Sequence, residues 1–270
     1  MIDLKNKVAI ITGASRGVGK ACALKLAAEG VKVVVAAKTV VSHERTPGTI
    51  HDTVAEIKAL GSDALAVQTN VRFEEQIVHL VQQTMQAFGR IDIVINNAGA
   101  IMFMPVEEMP VKRFDLMMQL NYRAPFILCH EAIPHMKKNQ SGAIINMSPP
   151  TQLGSLAAEQ WSGRTCYLMS KFGMSNLTCG LAEELKSDNI SVNSLWPENI
   201  IDTQATRVFA KMLAASSTIS WYRPELVAEA VLYVIKSEDA ALTGQTLIAE
   251  KVLYNHGVND LSHYLVNQGA

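Results

Sequence analysis

The chain has 270 residues, 49% hydrophobic and 18% charged, with a formal net charge of −1 at pH 7. That supply of apolar side chains suits a large core, and the charge is too low for a disordered chain. The near-neutral balance and a pI of about 6.7 imply no basic face, so a nucleic-acid partner is not expected.

Apolar runs of strand length alternate with helical stretches from the start. Val8–Ile11 reads as a strand, Val18 to Glu29 as a helix and Val31–Ala37 as a strand. Thr49 to Leu60 follows as a helix, Ala64–Gln68 as a strand, Glu74–Phe88 as a helix and Ile91–Ile95 as a strand. In the third helix Ile77, Leu80, Val81, Thr84, Met85 and Phe88 recur at helical spacing. Then come a helix over Arg113–Lys137, a strand over Ala143–Met147, a helix over Cys166–Lys186 and a strand over Ser191–Leu195. Arg223–Lys236 reads as the last helix and Thr246–Ile248 as the last strand.

Strict alternation with continuous apolar strands predicts an α/β fold, a doubly wound (Rossmann) parallel sheet with helices on both faces. Residues 1–270 are expected to form a single domain, with substrate-loop insertions near 149–165 and 199–222. Three irregular stretches, Thr39–Gly48, Pro149–Thr165 and Asn199–Tyr222, follow strands. They are expected at the carboxyl edge of the sheet, where such folds bind ligands.

Strand one runs into Thr12-Gly13-Ala14-Ser15-Arg16-Gly17-Val18-Gly19. Three glycines at this spacing permit a tight turn, close backbone approach to a pyrophosphate and close helix packing. The helix N-terminus then offers free N–H groups to phosphate. Gly13, Ser15, Arg16, Gly17, Val18 and Gly19 are therefore candidate dinucleotide-binding residues. Strand two ends Ala36-Ala37-Lys38-Thr39, without the carboxylate that usually holds the ribose 2′-hydroxyl of NAD. Lys38, with Arg16, can meet a 2′-phosphate instead, which favours NADP over NAD. A solvated surface lysine is the alternative reading of Lys38. Asn70-Val71 would place an amide near the adenine.

The sequence resembles the short-chain dehydrogenase/reductase superfamily, with motifs from Thr12 to about Gly244. Asn96-Asn97-Ala98-Gly99 matches the segment that supports the sheet and lines the cofactor site. Asn121, Ser148, Tyr167 and Lys171 match the catalytic set in order. Pro197, Ile201 and Thr203 complete the implied cofactor site. A narrower likeness is to the hydroxysteroid dehydrogenase-like branch, which also resembles bacterial citronellol dehydrogenases. It rests on Ala36-Ala37-Lys38-Thr39, the loop to Pro47-Gly48-Thr49-Ile50, Ser148-Pro149-Pro150, Leu195-Trp196-Pro197 and the ending Gly257 to Tyr264. Some members of that branch carry an added lipid-transfer domain, which this sequence is not expected to contain. Three departures bear on the loops rather than the chemistry. The Ser148–Tyr167 gap is long, Pro197-Glu198 replaces the usual Pro-Gly, and Asn70 replaces an aspartate.

Tyr167 and Lys171 are four apart on a helix and share a face. A nearby ammonium and the oxidised nicotinamide are both expected to lower the tyrosine pKa toward working pH, so that it exchanges a proton with an alcohol or carbonyl oxygen. Ser148 would hydrogen-bond the same oxygen. The resemblance implies that Lys171 also holds the nicotinamide ribose and that Asn121 holds a water linking Lys171 to solvent. The expected activity is an NADP-dependent oxidoreductase acting on CH–OH groups. A 3-oxoacyl thioester reductase and a non-catalytic NADPH-sensing regulator are the alternatives.

Apolar residues at the expected site favour a small hydrophobic alcohol or carbonyl substrate. They are Ala100 to Met104, Leu153 to Trp161, Phe209, Met212, Leu213 and Trp221. The same residues could serve as core or subunit interface. Glu198 and Arg207 could anchor a polar group. Cys22, Cys129, Cys166 and Cys179 lack C-x-x-C spacing and read as buried free thiols. His130 and His135 share a helix without a third ligand, so no metal is expected. No apolar run reaches the roughly 18–20 residues of a membrane span. No targeting segment is read, so a cytoplasmic protein is expected. The resemblance implies a homotetramer or homodimer.

Overall fold

The structure is a computed structural model describing residues 1–44, 46–150, 162–208, 220–239 and 242–266. Seven strands form one sheet: β1 (Val8–Thr12), β2 (Lys32–Ala37), β3 (Ala64–Gln68), β4 (Ile93–Asn96), β5 (Gly142–Asn146), β6 (Ile190–Trp196) and β9 (Thr246–Ile248). Their order is β3-β2-β1-β4-β5-β6-β9 and every pairing is parallel. The connection reverses direction between β1 and β4, which creates the switch point where such sheets bind ligands.

Continuous apolar strands fit because both faces are covered. In β1, Ala9 and Ile11 face one core while Val8 and Ile10 face the other. The first core takes α1 (Gly17–Ala28), α2 (Ile50–Ala59), α8 (Glu225–Ile235) and α9 (Ala249–Asn255). The second takes α3 (Glu74–Phe88), α5 (Ala124–Asn139) and the end of α6 (Thr165–Glu184). Ile77, Leu80, Val81 and Thr84 of α3 are buried, as their spacing predicts, with Met85 and Phe88 partly buried.

The helix expected over Arg113–Lys137 is not uniform. It comprises α4 (Val111–Met118), a wide π-turn over Gln119–Arg123, and α5. Pro125 at the start of α5 has no N–H to give to a carbonyl four residues back. The wide turn absorbs that break and carries Asn121 into the interior. The stretch 199–222 is not wholly irregular either. It holds β7 (Ile200–Ile201) and β8 (Trp221–Tyr222), paired in parallel, and the short turn α7 (Gln204–Arg207). The helix α9 after β9 was not expected.

Cys22, Cys129 and Cys166 are buried, but Cys179 lies exposed on α6. Burial pushes the Cys22 and Cys129 thiols up to about 12, which keeps them protonated and unreactive. Among the described residues no helix is long and apolar enough to cross a membrane, and no cluster could hold a metal ion.

Candidate active site

The glycine turn is built around Asn97. Gly13 and Gly17 take φ of +68° and +57°, a region that side chains with a Cβ rarely enter. The Asn97 Nδ2 donates to the Thr12 carbonyl at 2.8 Å. A Cβ on Gly13 would lie 2.9 Å from that nitrogen, and one on Gly19 only 2.5 Å away. Thr12 Oγ1 accepts from the amides of Asn97 and Ala98 at 3.1 and 3.0 Å. The end of β4 is thus locked to the end of β1, at the switch point. Ser15 is buried beneath the turn and Val18 is partly buried. Thr203 comes from the distant β7 side, its methyl 3.4 Å from where a Gly17 Cβ would sit. Arg16 caps α1 without a side-chain hydrogen bond to it, which leaves the first-turn amides of a twelve-residue helix free of side-chain partners.

Arg16 is engaged elsewhere. Its guanidinium donates to the carbonyls of Thr46, Pro47 and Gly48 at 3.0, 3.0 and 2.7 Å. Partial burial draws its pKa down. Gly48 (φ +98°) presses on the turn, since a Cβ there would come within 2.7 Å of the Ser15 carbonyl. Arg16 therefore pins the loop after β2 onto the glycine turn. Lys38 is exposed at the end of β2, and Thr39 beside it accepts the Ile50 amide. Asn70 Oδ1 accepts the Arg72 amide at 3.3 Å, so that oxygen serves the local turn, and Val71 is buried next to it.

Across the switch point, α6 carries Tyr167 and Lys171, both nearly fully buried. Lys171 Nζ donates to the Met147 carbonyl at 2.8 Å. Next in the chain, Ser148 is completely buried, and its Oγ has no hydrogen-bond partner among the described residues. Asn121 is also fully buried. Its Oδ1 accepts the Ala100 amide, and its Nδ2 donates to the Ala100 carbonyl and to Ser170 Oγ, at 2.8 to 2.9 Å. The Asn121 side chain therefore clamps the segment after β4 to α6. Gly99 lies between Asn121 and Lys171. A Cβ there would be 2.9 Å from Asn121 Oδ1 and 3.5 Å from Lys171 Nζ.

The expected lowering of the Tyr167 pKa calls on the oxidised nicotinamide as well as on Lys171, and the protein alone does not supply it. Burial raises it instead, because the phenolate loses its hydration and Lys171 gives its hydrogen bond to Met147. Burial brings Lys171 down to about 8.

The wall beside Tyr167 is apolar. Phe103 meets the Tyr167 ring edge-on at 5.4 Å, and Trp196 lies 6.4 Å away on another side. Met109, Met117 and Leu168 are buried in the same cluster, against Ile101 and Met102. Arg164 covers the outer face of Phe103 at 5.4 Å. The expected substrate residues Leu153 to Trp161, Phe209, Met212 and Leu213 lie outside the described residues. Trp221 is described, in β8 beyond β6. Arg207 is paired in a bidentate contact with Asp202.

The sequence reading missed Glu250. This residue is buried at the start of α9, and its carboxylate accepts the amides of Glu198 and Asn199 at 2.9 and 3.1 Å. It fixes the backbone after Pro197 and so the approach of Ile201 and Thr203 to the turn. A glutamate opening a short helix looks like an ordinary surface residue, and only the fold brings the loop to it.

A Rossmann-type sheet whose glycine turn and buried serine, tyrosine and lysine meet at one edge defines the nicotinamide-dependent oxidoreductases. The short chain dehydrogenase family model matches residues 7–213. Hydroxysteroid dehydrogenase-like protein 2 of Xenopus tropicalis is 41% identical over 96% of this chain, which spans 60% of that protein's length. A putative dehydrogenase from Xanthomonas campestris is 39% identical, covers 98% of this chain and 95% of its own, and superposes with a TM-score of 0.89. A metagenomic short-chain oxidoreductase in complex with NADP is 26% identical, with a TM-score of 0.73 over 92% of this chain and 98% of its own. A 7α-hydroxysteroid dehydrogenase complexed with NADH is 29% identical, with a TM-score of 0.78 over 91% and 93%. The chain belongs to the short-chain dehydrogenase family, in its hydroxysteroid dehydrogenase-like branch.

Proposed function

We propose that this chain is an NADP-preferring oxidoreductase that interconverts a hydrophobic alcohol and its aldehyde or ketone. The observation that carries the reading is the buried Ser148 hydroxyl. It has no hydrogen-bond partner among the described residues, it directly follows Met147, whose carbonyl Lys171 holds, and Tyr167, one turn before Lys171, belongs to an apolar cluster. An orphan buried hydroxyl costs stability unless a ligand satisfies it, and the apolar wall suits a hydrocarbon around one oxygen.

The residues present fit a dinucleotide. Gly13 and Gly19 let the turn close tightly on Asn97, and the first turn of α1 offers its amides to phosphate. Ser15, Val18, Asn97, Ala98, Gly99, Pro197, Ile201 and Thr203 would line the rest, with Asn70 and Val71 at the adenine end. Lys38, with no carboxylate at the end of β2, would select the 2′-phosphate. Arg16 would support that site through the loop it holds. When bound, the nicotinamide supplies or accepts the hydride.

The chain's own residues handle the proton. Ser148 Oγ donates to the substrate oxygen and steadies its developing charge. Tyr167 gives that oxygen a proton in reduction and takes one in oxidation. The positive charge of Lys171 offsets the cost of phenolate formation in a buried site. Asn121 holds Ala100 and Ser170 in place, so the segment after β4 and α6 keep their spacing. A cytoplasmic location and self-association through α5 and α6 are part of the same proposal.

The test is Tyr167→Phe. Turnover should fall by roughly 10²- to 10⁴-fold, the range for loss of a general acid–base. NADPH affinity, followed by fluorescence titration, should be retained. Full turnover in this variant would remove Tyr167 from the chemistry.

A further inference from the structure

We propose that Ser175 is a positioning residue that sets the location of Ser148. The proposal rests on the assignment of Ser148 to the substrate oxygen. Beyond β5 the Met147 amide still donates to the Asn96 carbonyl at 3.2 Å, but the amides after it give the chain no further hold. The Ser148 amide turns back to the Asn146 carbonyl at 2.9 Å, and Pro149 and Pro150 have no N–H. Past Met147 the described hydrogen bonds that anchor the segment to its surroundings run through its carbonyls. Two of them are taken by α6. Lys171 Nζ holds the Met147 carbonyl at 2.8 Å, and Ser175 Oγ holds the Pro149 carbonyl at 2.6 Å. Ser148 lies between these two anchors.

The anchors are four residues apart on α6 and follow Tyr167 by four, so Tyr167, Lys171 and Ser175 form one row on one helix face. Ser175 is completely buried, and among the described residues its Oγ makes one other hydrogen bond, to the Lys171 carbonyl at 3.3 Å. One turn further, Thr178 Oγ1 accepts from Asn146 Nδ2 at 2.8 Å, inside the sheet rather than beside Ser148. The same helix that presents Tyr167 thus fixes Ser148 against it on both sides. Removing the Ser175 hydroxyl frees the Pro149 side while leaving the Lys171 anchor in place.

The first arm of the test is crystallographic and needs no substrate. Structures of the wild-type and Ser175→Ala proteins are determined with NADP added. Ser148 Oγ should shift or occupy two positions in the variant while the Lys171–Met147 bond persists. An unmoved, single Ser148 would overturn the proposal.

The second arm is kinetic, with 2-decanol as the probe at saturating NADP. Ser175→Ala should lower kcat by roughly 10- to 100-fold, the scale of a misplaced catalytic group, and leave KM for NADP unchanged. That drop should vanish in a Ser148→Ala background. An equal drop in both backgrounds would show that Ser175 acts only through the general fold, as Thr178→Ala is expected to do. Should Ser175→Ala not fold, Ser175→Cys keeps the volume with a weaker donor and should move both readouts the same way. Full turnover in Ser148→Ala would overturn the role given to Ser148 itself, and the crystallographic arm tells that failure apart.

Discussion

Burial acts on Tyr167 and Lys171 in opposite directions, raising the tyrosine and lowering the lysine to about 8 from 10.5. In the unfolded chain the lysine keeps its proton up to its ordinary value. Between about pH 8 and that value the unfolded state binds more protons than the folded state, so stability from this group rises with pH and is flat below the window. Tyr167 has the reverse effect only above about pH 10, where the unfolded chain loses a phenolic proton that the folded chain keeps. Wild-type Tm should therefore climb relative to Lys171→Met between about pH 8 and 10. Parallel Tm curves would mean the ammonium is well solvated. The pairing of these two residues was legible from their spacing and from the serine strand before them. Their pKa directions were not, because desolvation depends on Phe103, Trp196 and β5, which reach the site only through the fold.

Under the proposed function, the choice of cofactor falls to the loop between β2 and α2, together with the glycine turn beneath it. Sequence reasoning gave Arg16 and Lys38 the same task, but the structure separates them. Arg16 spends its donors on three loop carbonyls, and Lys38 stands exposed. Lys38→Ala should lower the NADP-to-NAD preference in kcat/KM by about tenfold or more, the worth of one charge-assisted hydrogen bond. Arg16→Ala should weaken both cofactors by similar factors, because it releases the loop that both must contact. A selective loss of NADP in Arg16→Ala would show that its guanidinium leaves the loop to bind phosphate. The glycine turn itself was readable from its place between β1 and α1. The π-turn at Gln119–Arg123 was hidden because its apolar spacing matches an ordinary helix, and the β7–β8 pair because two-residue strands carry no period.

On the scale of the molecule, strict β/α alternation was enough to predict the parallel sheet and its ligand edge. The fate of the outer helix faces was not readable, since apolar residues there serve core or interface equally well. Tyr122, Phe126 and Met169 remain 44%, 54% and 51% exposed. Tyr122, in the π-turn before α5, packs on Gly173 of α6, where a Cβ would lie 2.7 Å from its ring. If these residues join copies of the chain, wild-type protein should be a dimer or tetramer by light scattering, and Phe126→Asp should lower its mass. A monomeric wild-type protein would sink that arrangement.

The central claim is most directly tested by turnover. NADP(H)- and NAD(H)-dependent rates would be measured on terpenoid, medium-chain, steroid and 3-oxoacyl substrates, with Tyr167→Phe alongside. The expected result is NADP-selective conversion of a hydrophobic alcohol or its carbonyl partner that disappears in the variant. Cofactor binding without turnover of any of these substrates, or turnover that survives in Tyr167→Phe, would contradict it.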